Sequence, residues 1–276
     1  MTKKQPSKIE RALEQYGLTE KQALDLFKSS TGKPSKTHKY KGHGPTSTVR
    51  YIAISDAHIG HKSFDEQLFL EAVKRANKEK VDFVVDPGDH LEGMSGRPGH
   101  VYELDQVGYN AQLGRAVELY NQFNVPIFGI DGNHDQWFKQ KHDMGVVVGE
   151  DLEKRVKNYT HLGEWEGRLD LGKGVDILLF HANDGTAYAT SYKLQKLIES
   201  FTGGEKPSIV HSGHYHKSMY AFIRNVHGFE TGTICGQSQF MRGKKIPAHK
   251  GYWDVTVKFN TAGIHEITPK FIPAYD

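Results

Sequence analysis

"IFGIDGNHDQW", Ile127 to Trp137, is the stretch on which the reading of this chain turns. It begins as an apolar run suited to a strand inside a core and stops at Gly132-Asn133-His134-Asp135. An amide, an imidazole and a carboxylate in succession are costly to bury unless each finds a partner. The same change of character recurs along the chain. "VRYIAIS" runs into "SDAHIG", which supplies Asp56 and His58, and "VDFVVD" runs into "DPGDHLEG", which supplies Asp89. "ILLF" ends at His181, and "SIVHS" runs into "GHYH", with His214 and His216.

Between these strands lie segments of helical period. One runs from about Phe64 to Glu79, and one lies across "YELDQVGYNAQLGRAVELYNQF". Others lie within "GEDLEKRVKN" and across "SYKLQKLIESF". Strand–helix alternation predicts an α/β fold with largely parallel pairing in its first half. After Lys217 the pattern changes to short β segments joined by Gly, Asn and His turns, which predicts antiparallel hairpins. In open α/β sheets ligands gather outside the carboxyl ends of the strands. All the polar clusters fall at such ends, so one pocket can collect them.

The residue types define the chemistry. Two carboxylates, several imidazoles and an amide oxygen mix hard oxygen donors with borderline nitrogen donors. That set suits Mn, Fe, Zn or Ni better than Ca or Mg alone. Asp-x-His and His-x-His, if extended, would put both side chains on one face. Gly88, Gly132 and Gly213 each precede a candidate ligand, where glycine eases a sharp turn.

The remainder of the chain sets limits. Its 276 residues suit one large catalytic domain, or one domain with a small appendage. Residues 1–30 read as a short N-terminal helical segment, 31–47 as a basic linker and 48–276 as the catalytic domain. Residues 1–50 carry 11 Lys and Arg against 4 Asp and Glu, although the whole chain is only +3. Such a front segment is suited to polyanions, so nucleic acid is the expected partner; a soluble leader is the plain alternative. No apolar run approaches the roughly 20 residues that span a bilayer. No membrane partner is expected, and the polar N-terminus and lone Cys235 fit a cytoplasmic setting.

Taken in order, "DAH … GDH … GNHD … H … GHYH" resembles the calcineurin-like metallophosphoesterase superfamily over roughly residues 49–240. "DAHIG" with "GNHD" is similar to DNA-repair nucleases of the Mre11 and SbcD kind. The resemblance implies a four-layer sandwich, two central mixed β-sheets flanked by helices. It also implies two divalent metal ions, manganese (Mn2+) first, with Fe, Zn or Ni as alternatives. Asp56, His58 and His216 would hold one metal, Asn133, His181 and His214 the other, and Asp89 both. His134 would face the leaving oxygen, with Asp135 orienting its ring. The implied activity is phosphoester hydrolysis by metal-activated hydroxide.

Three functions follow as expectations. The first is a phosphodiesterase or nuclease acting on nucleic acid, with Trp137, Phe138, Lys139, Lys141 and the "MRGKK" run stacking bases and meeting phosphates. The second is a phosphomonoesterase for small molecules or proteins. However, "GDHLEG" and "GNHDQWFKQ" lack the phosphate-gripping Arg of the protein Ser/Thr phosphatases. The third is a non-catalytic scaffold.

Overall fold

The strands at the head of the α/β stretch are apolar on both faces, so each must be covered twice. In β2 (Thr48–Ala53), Tyr51 and Ala53 point one way and Ile52 the other, and all are fully buried. Every residue of β3 (Phe83–Asp86) and β4 (Ile127–Ile130) is buried too. Strands without a polar face belong at the centre of a parallel sheet. β2, β3, β4 and β5 (Tyr159–Gly163) are parallel neighbours. Antiparallel β11 (Gly251–Asn260) and β12 (Gly263–Pro273) extend this sheet beyond β2.

Three helices cover one face. α1 (Glu66–Glu79) is capped by Asp65, whose Oδ1 accepts from the Leu68 amide at 3.0 Å, and buries Leu68, Phe69, Ala72, Val73 and Ala76. With α2 (Tyr109–Tyr120) and α3 (Val148–Arg155) it packs against Ile52, Val84 and Ile127. The opposite face meets a second sheet, ordered β1 (Thr37–Lys39), β6 (Glu166–Gly172), β7 (Val175–His181), β8 (Ile209–Gly213), β10 (Val226–Thr231) and β9 (Ser218–Ile223). Tyr51, Phe83, Val85 and Phe128 from the first sheet interlock with Leu169, Ile177, Ile209 and Phe229 from the second. α4 (Tyr192–Ser200) covers the outer face of β7, β8 and β10 through Leu194 and Ile198. The result is the expected four layers, helices–sheet–sheet–helix. A short α5 (Gln239–Gly243) lies outside them.

This computed structural model describes Thr19 and residues 37–40, 47–141, 145–202 and 204–275. The expected N-terminal helices lie outside the described residues. Several elements differ from expectation. Thr37–Lys39, in the segment read as linker, is an edge strand parallel to β6. The long helix expected across residues 102–123 starts only at Tyr109, behind Gly108, whose positive φ of 86° suits glycine. β5 and β6 were not expected at all, although "EGRLDLG" alternates buried Gly167, Leu169 and Leu171 with more exposed Glu166, Arg168 and Asp170.

His211, on β8, sits wholly between the sheets. It stacks on Phe229 at 4.4 Å, and the Tyr51 hydroxyl meets its Nε2 at 2.9 Å. Among the described residues no acid is paired with it, and burial pushes its pKa down to about 3. The unfolded chain therefore binds a proton there that the folded chain refuses. Stability is complete above the ordinary histidine pKa and falls by about 1.4 kcal/mol per unit as pH drops below about 6.5 towards 3. His211→Phe is expected to flatten that part of the acid limb in urea titrations between about pH 6.5 and 4. An unchanged slope would contradict this assignment.

Candidate metal centre

The polar loops follow β2, β3 and β4 of one sheet and β7 and β8 of the other, so the site lies where the carboxyl ends of both sheets meet. The first two loops stay paired beyond their strands. The Asp56 amide donates to the Gly88 carbonyl, the His58 amide to that of Asp89, and Ile59 bridges Leu91. The backbone here is strained. Asp56 (φ 51°), His58 (φ 51°), Asp89 (φ 55°), His214 (φ 86°) and His216 (φ 53°) are all left-handed, half of the ten non-glycine residues with positive φ among the described residues. Each such conformation costs on the order of 1 kcal/mol or more, and clusters of them mark functional sites. The extended Asp-x-His and His-x-His geometry is thus corrected: both members of each pair are turned, and the turns bring their side chains inward. Gly132 serves a different end from the one expected. Its φ is not positive, but a Cβ there would lie 2.2 Å from Asp89 Oδ1 and 2.6 Å from His181 Cε1. Only glycine lets those loops close on one another.

All seven candidate ligands come together. Asp56, His58 and His216 form one group within ligand distance, and Asp89, His181 and His214 form another. Asn133 Oδ1 lies 3.1 Å from His181 Nε2 and 2.7 Å from His214 Nδ1. Asp89 Oδ2 lies 3.3 Å from His181 Nε2 and 3.8 Å from His58 Nε2, so it reaches both groups. The Ser55 hydroxyl donates to Asp56 Oδ2.

The hydrogen bonds test whether cations fit. His58 gives its Nδ1–H to Glu92 (2.8 Å), His181 its Nδ1–H to the Pro87 carbonyl (2.6 Å) and His214 its Nε2–H to the Asp184 carbonyl (2.7 Å). These outward bonds fix the tautomers and turn the other nitrogen's lone pair inward. There His181 and His214 both face the acceptor Asn133 Oδ1, and His58 Nε2 meets His216 Nε2 at 3.0 Å. Acceptors facing acceptors repel, and a divalent cation between them turns repulsion into coordination. The alternative is protonation. Burial opposes it at His181, yet Asp89 drives that ring up to about 9, whereas burial and His181 hold His214 down to about 4. With two groups of donors each within ligand distance, the donor set fits two divalent cations.

His134 lines the same cleft but contacts a different carboxylate from the one expected. Its Nδ1 donates to the Glu92 carbonyl at 2.8 Å and lies 3.4 Å from Glu92 Oε2. Burial disfavours charge on this ring, but Glu92 and Asp89 raise its pKa to about 10. Asp135, expected to orient it, is occupied elsewhere. Its carboxylate accepts from the backbone amides of Gly132 (2.9 Å), Leu91 (3.0 Å) and His90 (3.2 Å), which ties two ligand loops together. Glu92 is the residue that sequence reading missed. It binds His58, His134 and also His100, whose Nε2 lies 2.7 Å from its Oε1. Its only sequence signal is an acid three residues after Asp89. Glu92→Gln removes the charge but not the shape, and carboxylates behind a metal-binding histidine typically carry 10–100-fold in metal affinity or activity. A loss of that size in calorimetric Mn2+ titrations is expected; an unchanged isotherm would refute the link.

The cleft has a volume of about 640 Å3 and runs from His58, Asp89 and His134 to Phe240, Met241 and Ile246. Trp137 lines it and packs at a tilt of 33° against His134, with ring centroids 3.9 Å apart. Two of the other residues expected to face substrate there do not. Phe138 is a core residue packed on Tyr109, and Lys139 is paired with Glu164 at 2.6 Å. The Lys141 side chain lies outside the described residues. In "MRGKK", Met241 faces the cleft while Arg242, Lys244 and Lys245 are exposed. Among the described residues, Arg97 is the only Lys or Arg lining the cleft, and it is bound to Glu103 at 2.8 Å. His61 also lines it, whereas His90 is fully buried and hydrogen-bonded to Tyr159.

Comparison with known proteins bears on this geometry. The family model for calcineurin-like phosphoesterases matches residues 49–230. The DNA polymerase II small subunit of Methanothermobacter thermautotrophicus is 24% identical over 234 residues, covering 68% of this chain and 48% of that protein. Its counterpart in Archaeoglobus fulgidus is 25% identical over 245 residues, covering 73% and 50%. The chain thus spans about half the length of the curated relatives it matches. Among solved structures, an archaeal phosphodiesterase aligns with TM-score 0.48 and 13% identity over 81% of this chain and 99% of its own. A phosphoesterase from E. coli aligns with TM-score 0.43 and 14% identity, over 79% and 98%. Among the described residues, no helix is long and apolar enough to cross a membrane.

Proposed function

The chain belongs to the calcineurin-like phosphoesterase family, a family of hydrolases, and on that premise we propose that it is a two-metal phosphodiesterase acting on nucleic acid. The observation that carries this reading is the make-up of the cleft. Its floor is the ligand set and its far wall is apolar, and its one arginine among the described residues is already neutralised by Glu103. A monoester brings a dianionic phosphate that calls for a free arginine or lysine; a diester brings one charge and two organic arms. The cleft suits the second.

Asp56, His58 and His216 would hold one cation, Asn133, His181 and His214 the other, and Asp89 both. Cations there would supply Lewis-acid polarisation of the phosphoryl oxygens and a nucleophile at neutral pH. The protein's own part lies with His134. Its Nδ1 is held by the Glu92 carbonyl, which leaves Nε2 to carry a proton to the leaving oxygen. A sugar alkoxide needs that proton far more than an activated phenolate does.

Nucleic acid as the substrate is supported by the basic front segment and by relatives that are subunits of DNA polymerase II. A screen of 4-nitrophenyl phosphate, bis(4-nitrophenyl) phosphate and single-stranded DNA with Mn2+ separates the readings. Turnover of both diester substrates is expected, with little of the monoester; the reverse order would make the chain a phosphomonoesterase. DNA affinity should fall between roughly 50 and 200 mM salt, with a log–log slope of about −0.7 per phosphate contacted on single strands. Binding indifferent to salt would remove the electrostatic role of the front segment.

A further inference from the structure

A second, smaller cavity opens beside the candidate centre. It has a volume of about 270 Å3, and Asn133 and Trp137 line both it and the main cleft. Its remaining walls are Gln136, Gln140, Trp165 and Asn183. Among the described residues no charged side chain lines it: the surface is two indoles and four carboxamides. Gln136 is fixed, since its Nε2 donates to Glu164 at 3.1 Å and its Oε1 accepts from Gln140 at 3.3 Å. The Trp165 indole N–H and the Asn183 carboxamide make no side-chain hydrogen bond among the described residues.

That combination has a specific chemical match. Indole faces stack heterocycles, and carboxamides offer paired donors and acceptors to base edges. The size also suits, because a cavity of about 150 Å3 admits a benzene ring. The position is decisive. The cavity adjoins Asn133 and lies next to His134, so a group held here is within one nucleotide of the reacting phosphate. A diester has an arm on each side of phosphorus, and the centre opens into the main cleft while adjoining this second cavity.

We propose that this cavity is a base-recognition subsite, receiving one unpaired nucleobase from the nucleotide that bears the scissile phosphate. The proposal rests on the diesterase reading above. It makes single-stranded nucleic acid the substrate class, since a paired and stacked base cannot enter without leaving its helix.

The test compares thymidine 5′-(4-nitrophenyl phosphate) with methyl 4-nitrophenyl phosphate, which shares the leaving group but has no base. The full-length protein with Mn2+ should prefer the nucleotide ester by about 10-fold or more in kcat/KM. Trp165→Ala should cut that ratio about 10-fold, and Asn183→Ala, at an exposed position that spares the fold, about 5-fold. A separate readout needs no turnover: saturable quenching of tryptophan fluorescence by thymidine 5′-monophosphate, with Kd raised about 5-fold in Asn183→Ala. Hydrolysis of both esters with no preference, or ratios and Kd unchanged in the variants, would overturn the subsite and leave the diesterase reading standing. Equal preference for an abasic deoxyribosyl ester would assign the cavity to sugar and overturn it too. Failure to hydrolyse either diester, with 4-nitrophenyl phosphate turned over, would instead overturn the diesterase reading, and the quenching titration would then judge the cavity alone.

Discussion

His134→Ala is expected to bind metal like the unaltered protein while losing about 10²–10⁴-fold in kcat on DNA. The separation of the two effects follows from which atoms do what. His134 supports Asp89 through its backbone: the amide donates to Asp89 Oδ1 at 2.8 Å, and alanine keeps that bond. The imidazole bonds to Glu92, which belongs to neither triad of ligands. Truncation therefore removes a proton carrier without removing a ligand. The defect should depend on the leaving group. A sugar oxygen departs poorly as an alkoxide, whereas 4-nitrophenolate departs unaided, so the loss on bis(4-nitrophenyl) phosphate should be at least about tenfold smaller. Equal losses on both substrates would assign the ring to electrostatics instead of proton transfer. Loss of metal binding would contradict the geometry outright.

Legibility from sequence followed the range of the interaction. β2, β3, β4, β7 and β8 were readable because burial on both faces writes a largely apolar run into the chain. The loops after them were readable because each run stops at residues that no core retains. Asp135 and Glu92 show where such reading fails. Adjacency in "GNHD" suggests an Asp–His pair, but the turn directs the short Asp135 side chain into backbone amides of its own loop and of the loop after β3. Glu92 reaches His134 across 42 residues because β3 and β4 pair with Val85 opposite Phe128, which sets the two loops side by side. That register is a property of the sheet, and no local pattern encodes it. Trp137 and Phe138 differ in the same way. Both are aromatic neighbours, yet the five-residue π-helical turn Trp137–Lys141 sends one into the cleft and the other into the core. The left-handed ligands were equally hidden, since Asp and His carry no glycine-like mark of positive φ. The strain is held by loop–loop hydrogen bonds that only the assembled fold supplies.

Asp89→Asn should have the larger effect on metal. Asp89 reaches both candidate triads from one carboxylate, with Oδ2 at 3.3 Å from His181 Nε2 and 3.8 Å from His58 Nε2. It is 1% exposed, so no solvent screens the charge it places between two sites. Asparagine matches its volume and tolerates its left-handed backbone, so the fold has little reason to object. What changes is one negative charge at the point where two cations would approach each other. Mutual repulsion between those cations is then opposed by less charge, and the weaker of the two binding steps suffers first. The expected calorimetric result is one retained Mn2+ event and a second weakened by more than about 100-fold, beyond the usual cost of losing an outer partner. Turnover should follow the second event, recovering in part at high Mn2+. The contrast with His134→Ala is the diagnostic: there metal stays and kcat falls, whereas here both fall and excess metal restores activity. Two undisturbed binding events with full turnover in Asp89→Asn would mean that this carboxylate does not join the sites, and the two-metal reading would lose its centre.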